Sequence, residues 1–383
     1  MRKSKQIISI FALLACMLLS QEIRAEKDIP PHHPYIHYVG RVDMSNNDTV
    51  RYDWPGVALM CNFSGRSIGI KLNGGAATHF NLFLDGELID VIMAPQDTII
   101  TVRPTQHKKI HELKLIKRTE ADMGMVQFMG FVMEDKGMLH PTSNPLTRRI
   151  EFIGNSITCG YGTEGKDRNE IFKPETENNY KSYAAILSRA FNAEAHFIAH
   201  SGVGLVRNYG DENPATAKEK TILGRFGRTL DNGPDTSWDF SRWKPDCVII
   251  NLGTNDFSTT PHPDKFTFLK GYKELLDSVR QKYGKIPVFC VVGPMIDEPC
   301  FSYVKEFTRY CRWGQKDDQV FFVGMPDNLL NNHDDLGSDW HPSYKGQQKI
   351  AKLLLTPVAS VMNWEYQEII VDSILKLKES ICF

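Results

Sequence analysis

Residues 148–162 read RRIEFIGNSITCGYG, and the change of character inside this stretch decides the fold of the second half of the chain. Ile150 to Ile153 is a short apolar run of the kind that forms a buried strand. It stops at Gly154-Asn155-Ser156, a polar turn bearing a glycine, from which the chain can enter a helix with Ser156 exposed at the tip. Downstream the same alternation repeats. Tyr183 to Phe191 has helical character, Ala195-His196-Phe197-Ile198 reads as a strand, and Cys247 to Leu252 is apolar and β-branched enough for a strand covered on both faces. Phe266 to Tyr283 and Phe301 to Trp313 are predicted helices; Pro287 to Val292 and Val320 to Val323 are predicted strands. A last helix is expected from Ser343 to Trp364, kinked at Pro357. Strands alternating with helices at this spacing imply a parallel sheet with helices on both sides, a three-layer α/β fold. Ligands of such sheets sit beyond the carboxyl ends of the strands.

Upstream the period changes. Between residues 35 and 134, Val57 to Phe63, Ile68 to Leu72, Phe80 to Leu84, Leu88 to Ile92, Ile99 to Val102, Leu113 to Ile116 and Met125 to Met133 are short strand-like runs. Asp85-Gly86 between two of them is a strong hairpin signal. No segment has a helical period, which predicts an all-β sandwich of jelly-roll type. Pro141-Thr142-Ser143-Asn144-Pro145 then forms a polar linker. The expected organisation is a β-sandwich over residues 30–140, an α/β domain over 148–365 and a helical tail over 366–383.

The first 25 residues have the layout of a secretory signal peptide. Arg2, Lys3 and Lys5 precede an apolar stretch from Ile7 to Leu19, too short to span a bilayer comfortably, and Ala25 closes a cleavage site. The expected location is secreted or periplasmic. Cys16 in Leu14-Ala15-Cys16 hints at lipoprotein anchoring only faintly, because the apolar run continues through Met17-Leu18-Leu19. Loss of Arg2, Lys3, Lys5, Arg24 and Glu22 takes the net charge from −1 to −4. That balance attracts neither phosphate backbones nor anionic lipid, so no nucleic-acid partner and no membrane insertion are expected. Beyond residue 25 the cysteines are odd in number, and Cys300 and Cys311 are close enough for a small disulfide loop. Cys247 and Cys290 lie in apolar runs, as buried small hydrophobes do.

Four polar clusters fall at the ends of predicted elements in the α/β half. Gly154-Asn155-Ser156 follows one strand, His200-Ser201-Gly202 the next, and Gly253-Thr254-Asn255-Asp256 the third; Asp339-Trp340-His341 precedes the last helix. Acyl transfer requires a hydroxyl nucleophile, a base and donors for an oxyanion. Ser156 supplies the hydroxyl, and His341 titrates in the range of a base near neutrality. Gly202 brings a main-chain N–H close to a ligand, and Asn255 offers an amide donor. Asp339 is expected to orient the imidazole, and Asp256 to form a local Asx-turn. The absence of a GxSxG motif argues against an ordinary α/β-hydrolase.

These blocks, with Gly154-Asn155-Ser156-Ile157-Thr158, Gly202, Gly253-x-Asn255-Asp256 and Asp339-Trp340-His341-Pro342 in that order, resemble the SGNH (GDSL-like) hydrolases. The whole chain resembles carbohydrate esterase family 2, which joins an N-terminal jelly roll to an SGNH domain; Gly154 to Gly162, Asn208-Tyr209-Gly210 and Asp339 to Ser343 carry that narrower likeness. The resemblance implies removal of acetyl groups from polysaccharides such as xylan or glucomannan without a cofactor or metal. It implies Ser156 as nucleophile and the N–H groups of Ser156 and Gly202 with Asn255 as oxyanion donors. Two departures stand out. Asn155 replaces the commoner aspartate at a mainly structural position. Asp339 lies two residues before His341 rather than three, which leaves open a main-chain carbonyl in the orienting role.

Competing readings are weaker. Gly160 to Lys166 nearly completes a phosphate loop, but Asp167 stands where Ser or Thr must bind magnesium. Gly202-Val203-Gly204 is an isolated fragment of a dinucleotide motif, with Arg207 in place of its third glycine. His32, His33 and His37 form a histidine-rich tip and not a metal-ligand pattern. Trp340 and Tyr209 are the expected substrate contacts, with Tyr161, Trp238 and Trp243 as further loop aromatics. The rival functions are a lipid or lysophospholipid esterase using the same residues, and a non-catalytic glycan-binding protein.

Overall fold

The computed structural model describes residues 26–371 apart from positions 76, 94, 95, 107 and 143–145. The expected signal peptide with Cys16, part of the linker, and residues 372–383 of the expected tail lie outside the described residues. The described end of that tail, residues 366–371, is not helical.

The first part is a sandwich of two antiparallel sheets. Its strands are β1 (Glu26–Ile29), β2 (Ile36–Val39), β3 (Val50–Tyr52), β4 (Ala58–Ser64), β5 (Ile68–Asn73), β6 (His79–Leu84), β7 (Glu87–Met93), β8 (Thr98–Val102), β9 (His111–Lys117), β10 (Val126–Glu134) and β11 (Met138–His140). One sheet has the order β1-β10-β5-β8 with β3 on β10, the other β11-β4-β9-β6-β7 with β2 on β4. Strands β1, β2, β3 and β11 have three or four residues each, too few for a period to show in the sequence. The predicted hairpin is present: Asp85 (φ 55°) and Gly86 (φ 87°) are both left-handed between β6 and β7, as a two-residue primed turn requires.

The second part is a five-stranded, wholly parallel sheet. It contains β12 (Arg148–Gly154), β13 (Ala193–Ala199), β16 (Cys247–Asn251), β17 (Val288–Val292) and β18 (Val320–Gly324) in the order β13-β12-β16-β17-β18. Two short strands, β14 (Arg228–Leu230) and β15 (Gly233–Ser237), form a separate hairpin. The helices are α1 (Ser156–Cys159), α2 (Tyr183–Ala190), α3 (Ile222–Arg225), α4 (Thr254–Phe257), α5 (Lys265–Tyr283), α6 (Cys300–Arg309) and α7 (Tyr344–Met362), the last with Pro357 inside. The helix predicted to reach Trp313 ends as α at Arg309 and finishes in one π-helical turn, Tyr310–Gly314. The chain direction across the sheet reverses at β12, between β13 and β16. Such switch points open a crevice at the carboxyl ends of the strands.

The two parts share one core rather than being tethered. A continuous apolar cluster runs from Phe63, Ile70 and Phe128 of the sandwich to Ile153, Val248 and Tyr272 of the α/β part. Arg41 from the sandwich is buried against Glu151 of β12 at 3.0 Å, and Tyr283 donates to the same carboxylate oxygen. The Arg41 guanidinium also donates to the carbonyls of Phe226 and Arg228, and the Trp54 indole to that of Thr229. Removing one partner from a buried ion pair leaves an uncompensated charge, so this pair, whose bonds come from both parts, ties the sandwich to the α/β part.

Candidate active site

Gly154-Asn155-Ser156 is shaped by close packing. A Cβ on Gly154 would lie 2.0 Å from the Thr158 hydroxyl oxygen, so only glycine fits beneath α1. Asn155 is the N-cap: its side-chain oxygen accepts the Ile157 N–H at 3.1 Å. The amide thus does the capping that an aspartate would do, which explains why Asn is compatible with this position. Gln347 of α7 bridges to this helix, accepting the Tyr183 N–H at 2.8 Å and donating to the Ile157 carbonyl at 3.1 Å.

The turn that carries His341 is strained. Asp339 (φ 49°) and Trp340 (φ 63°) are consecutive non-glycine residues in the left-handed region, each costing about 1–3 kcal/mol. Hydrogen bonds from the Asp339 N–H to Glu170, the Trp340 N–H to Arg168 and the Ser338 N–H to Gly162 hold the turn. The result brings His341 Nε2 to 2.8 Å from the Ser156 hydroxyl oxygen. His341 Nδ1 lies 3.0 Å from the main-chain carbonyl of Asp339. The Asp339 carboxylate is elsewhere, accepting from the Tyr161 hydroxyl at 3.2 Å and from the Phe172 N–H at 3.1 Å. The expectation that this carboxylate orients the imidazole is therefore corrected. Two-residue spacing through left-handed backbone aims the carbonyl, not the side chain, at the ring. Burial pushes the His341 pKa below its ordinary value, against the Asp339 carbonyl and carboxylate, which favour the proton.

Gly202 (φ 73°) follows β13 and faces open space, with no heavy atom within 4 Å of where a Cβ would stand. The N–H groups of Ser156 and Gly202 have no acceptor among the described residues, whereas the Gly202 carbonyl accepts the Tyr209 N–H at 2.8 Å. Asn255, at the start of α4, donates through Nδ2 to the carbonyl of Val203 at 2.8 Å, which aims its amide at the same loop. Asp256 does not form the expected local turn. Its fully buried carboxylate accepts three N–H groups across the loop, from Leu205 at 2.9 Å, Val206 at 2.8 Å and Arg207 at 3.0 Å. The strands leading into Ser156, Gly202 and Asn255 are neighbours in the sheet at the switch point, and the Ser156 hydroxyl and His341 imidazole stand together there.

Comparison with known proteins follows this geometry. Residues 38–142 match the family described as carbohydrate esterase 2 N-terminal, and residues 152–349 the GDSL-like lipase/acylhydrolase family. A solved family two carbohydrate esterase from Clostridium thermocellum, in complex with cellohexaose, superposes with a TM-score of 0.78 at 38% identity, over 86% of this chain and 99% of its own. This chain belongs to family 2 of the carbohydrate esterases. It is 39% identical, over 87% of its length, to the cellulase/esterase CelE of Acetivibrio thermocellus, and spans 40% of that relative. It is 29% identical to an acetylxylan esterase / glucomannan deacetylase of Cellvibrio japonicus, over 91% of this chain and 96% of that protein.

In this family 2 chain the aromatics divide. Trp340 is 55% exposed beside the candidate base, with the Arg168 guanidinium 4.8 Å from its ring centre. Tyr209 is 63% exposed and linked by its N–H to the Gly202 loop. Tyr161 stacks on Phe172 at 3.8 Å and packs at 4.4 Å against the His341 ring. Trp238 and Trp243 are buried, and Trp243 stacks on His196 and donates to Glu194. These two loop aromatics are therefore core residues. His32, His33 and His37 each engage a different neighbour, Asn46, Tyr35 and Glu194 respectively. Cys300 and Cys311 are free, buried thiols, so the disulfide considered from their spacing is absent: each lies in the core under α6 and its π turn. Phe172 and the acidic residues around Gly202, namely Glu120, Asp122 and Asp231, were not singled out from sequence, because no spacing ties them to the motifs.

Proposed function

We propose that this chain is an exported serine esterase that removes O-acetyl groups from plant cell-wall polysaccharides, xylan and glucomannan foremost. The Ser156–His341 hydrogen bond at 2.8 Å carries the reading. His341 Nε2 takes the hydroxyl proton as the Ser156 oxygen attacks the acetyl carbonyl. The developing oxyanion is received by the Ser156 and Gly202 N–H groups and the Asn255 amide. Collapse breaks the bond to the sugar oxygen, which leaves with the proton from His341. Water, deprotonated by the same imidazole, then releases acetate from the acetyl-enzyme. The Asp339 carbonyl accepts the Nδ1 proton and so keeps the Nε2 lone pair facing the serine, making the machinery a dyad held by main chain. Trp340 and Tyr209, two exposed rings at the rim, suit stacking on sugar. The relatives support the substrate class, since the Cellvibrio japonicus protein is an acetylxylan esterase / glucomannan deacetylase.

Among the described residues no helix is long and apolar enough to cross a membrane. Export rests on the sequence of residues 1–25 and is tested by N-terminal sequencing of the protein recovered outside the cytoplasm.

Acetate release from acetylated xylan and glucomannan tests the activity. Wild type is expected to release acetate, and Ser156→Ala to lose activity by at least about 10⁴-fold in kcat. A Ser156→Ala chain as active as wild type would overturn the assignment.

A further inference from the structure

The sandwich reaches the reaction centre through one turn. Beyond β9 the chain runs through Arg118, Thr119 and Glu120 into a single 3-10 turn, Ala121–Met123. Glu120 is buried, and its Oε2 accepts the main-chain N–H of Ser201 at 2.6 Å and the thiol of Cys159 at 3.7 Å. Ser201 immediately precedes Gly202, and Cys159 closes the helix that begins at Ser156. One carboxylate oxygen therefore joins the helix that begins at Ser156 to the segment that leads into Gly202. Burial, reinforced by Glu120 and Glu177, pushes the Cys159 thiol well above its ordinary range, so the sulfur keeps its proton and donates.

Glu120 is itself held. Its N–H donates to Glu177 Oε2 at 3.2 Å, and the buried Lys117 ammonium donates to its carbonyl at 2.8 Å. Two residues on, the Asp122 carboxylate lies 3.4 Å from His200 Nε2, while His200 Nδ1 is 2.6 Å from Asp231. His200 and Ser201, the residues that lead into Gly202, are thus both gripped by carboxylates, two of which belong to the sandwich. An oxyanion donor stabilises a transition state only if it is aimed before the charge develops, and aim is set by the preceding peptide planes.

We propose that Glu120 is a positioning residue for ester hydrolysis, supported by Asp122: the sandwich turn fixes the His200–Gly202 backbone so that the Gly202 N–H points at the oxyanion. The inference rests on the reading of Gly202 as an oxyanion donor. It also gives the shared core of the two parts a catalytic purpose, since a loosely tethered sandwich could not hold Ser201 at 2.6 Å.

Steady-state kinetics with the full chain on para-nitrophenyl acetate and acetylated xylan test it, comparing wild type with Glu120→Ala, Glu120→Gln and Asp122→Asn. Glutamine keeps an oxygen for the Ser201 N–H; alanine does not. Glu120→Ala is expected to lose roughly 10- to 100-fold in kcat, below the loss for outright removal of an oxyanion donor. Its KM should stay within about 2-fold, because substrate binding is untouched. Glu120→Gln should recover most of kcat. Asp122→Asn, at a half-exposed side chain that spares the fold, should lower kcat a few-fold at constant KM. Wild-type kcat in Glu120→Ala, equal impairment of the glutamine and alanine variants, or a change in KM alone overturns the proposal. If neither Glu120 variant folds, an unchanged kcat in Asp122→Asn overturns it and a reduced one sustains it. A wild type that releases no acetate defeats the esterase reading and this inference together; an active wild type with an unimpaired Glu120→Ala defeats the inference alone.

Discussion

His341 presents Nδ1 to the main-chain carbonyl of Asp339 at 3.0 Å, while the Asp339 carboxylate is turned to the Tyr161 hydroxyl and the Phe172 N–H. A neutral carbonyl selects the tautomer as well as a carboxylate does. It offers less to the imidazolium that forms during attack, which leaves the catalytic worth of the Asp339 charge small.

Asp339→Asn is therefore expected to lower kcat by less than about 10-fold, against roughly 10⁴-fold where a triad carboxylate is replaced by its amide. Asparagine also tolerates the left-handed backbone there. Because burial depresses the His341 pKa, the acid limb of kcat/KM in wild type should lie below about 6.5, the ordinary histidine value. The Asp339 charge raises that pKa, so the limb should move further down in the variant. A 10⁴-fold loss, or a wild-type limb above 6.5, would restore the carboxylate to the machinery.

Asn255→Ala should lose about 10²- to 10³-fold in kcat with KM little changed, as expected for one lost oxyanion donor. The Nδ2 bond to Val203 pre-aims the amide, so Asn255→Asp should be no better. Steady-state kinetics on an acetyl ester decides this, and a loss confined to KM would assign Asn255 to ground-state binding.

Asp256→Ala leaves the N–H groups of Leu205, Val206 and Arg207 without their acceptor in the interior. The expected destabilisation is about 3 kcal/mol or more, from three unmade buried bonds. Denaturant midpoints measure it. A change under about 1 kcal/mol would mean that water reaches the loop.

His200 links stability to alkaline pH. Burial lowers its pKa, but the hydrogen bonds to Asp122 and Asp231 and the charges of Asp231 and Glu120 outweigh this and hold it up at about 10. A folded-state pKa raised above the unfolded value of about 6.5 means the charged network contributes fully below that pH. The contribution declines as pH rises toward 10 and is gone above it. Unfolding free energy should accordingly fall between those limits, and fall less in Asp122→Asn. A flat profile common to both proteins would remove His200 from this role.

The architecture was largely legible because its signals are local. Cys247–Asn251 is apolar and β-branched and buried along its whole length, and the parallel strand β12 sits beside it in the sheet. Asp85-Gly86 announced a hairpin that needs only those two backbones. Ser156, Gly202, Asn255 and His341 were legible as candidates because each sits in a polar block just after or before an apolar run. What failed were readings that need direction in space. Trp238 and Trp243 read as loop aromatics with no sign in the sequence of whether they face solvent or core, and packing against His196 buries them. Asp256 was read as a local turn former, yet its acceptors serve residues about fifty positions away. Cys300 and Cys311 are eleven positions apart in sequence, but a helix and its π turn keep them as separate core thiols.

The chain's own order of residues determined the two layers of organisation, the sheet type and the chemical groups available at the strand ends, because periodicity and turn chemistry act over a few residues. Only the tertiary structure decided which atom of Asp339 meets His341, and that Glu120 of the sandwich reaches Ser201 of the α/β part. Those outcomes depend on backbone dihedrals and on contacts between segments far apart in sequence, and no local pattern encodes where such segments meet.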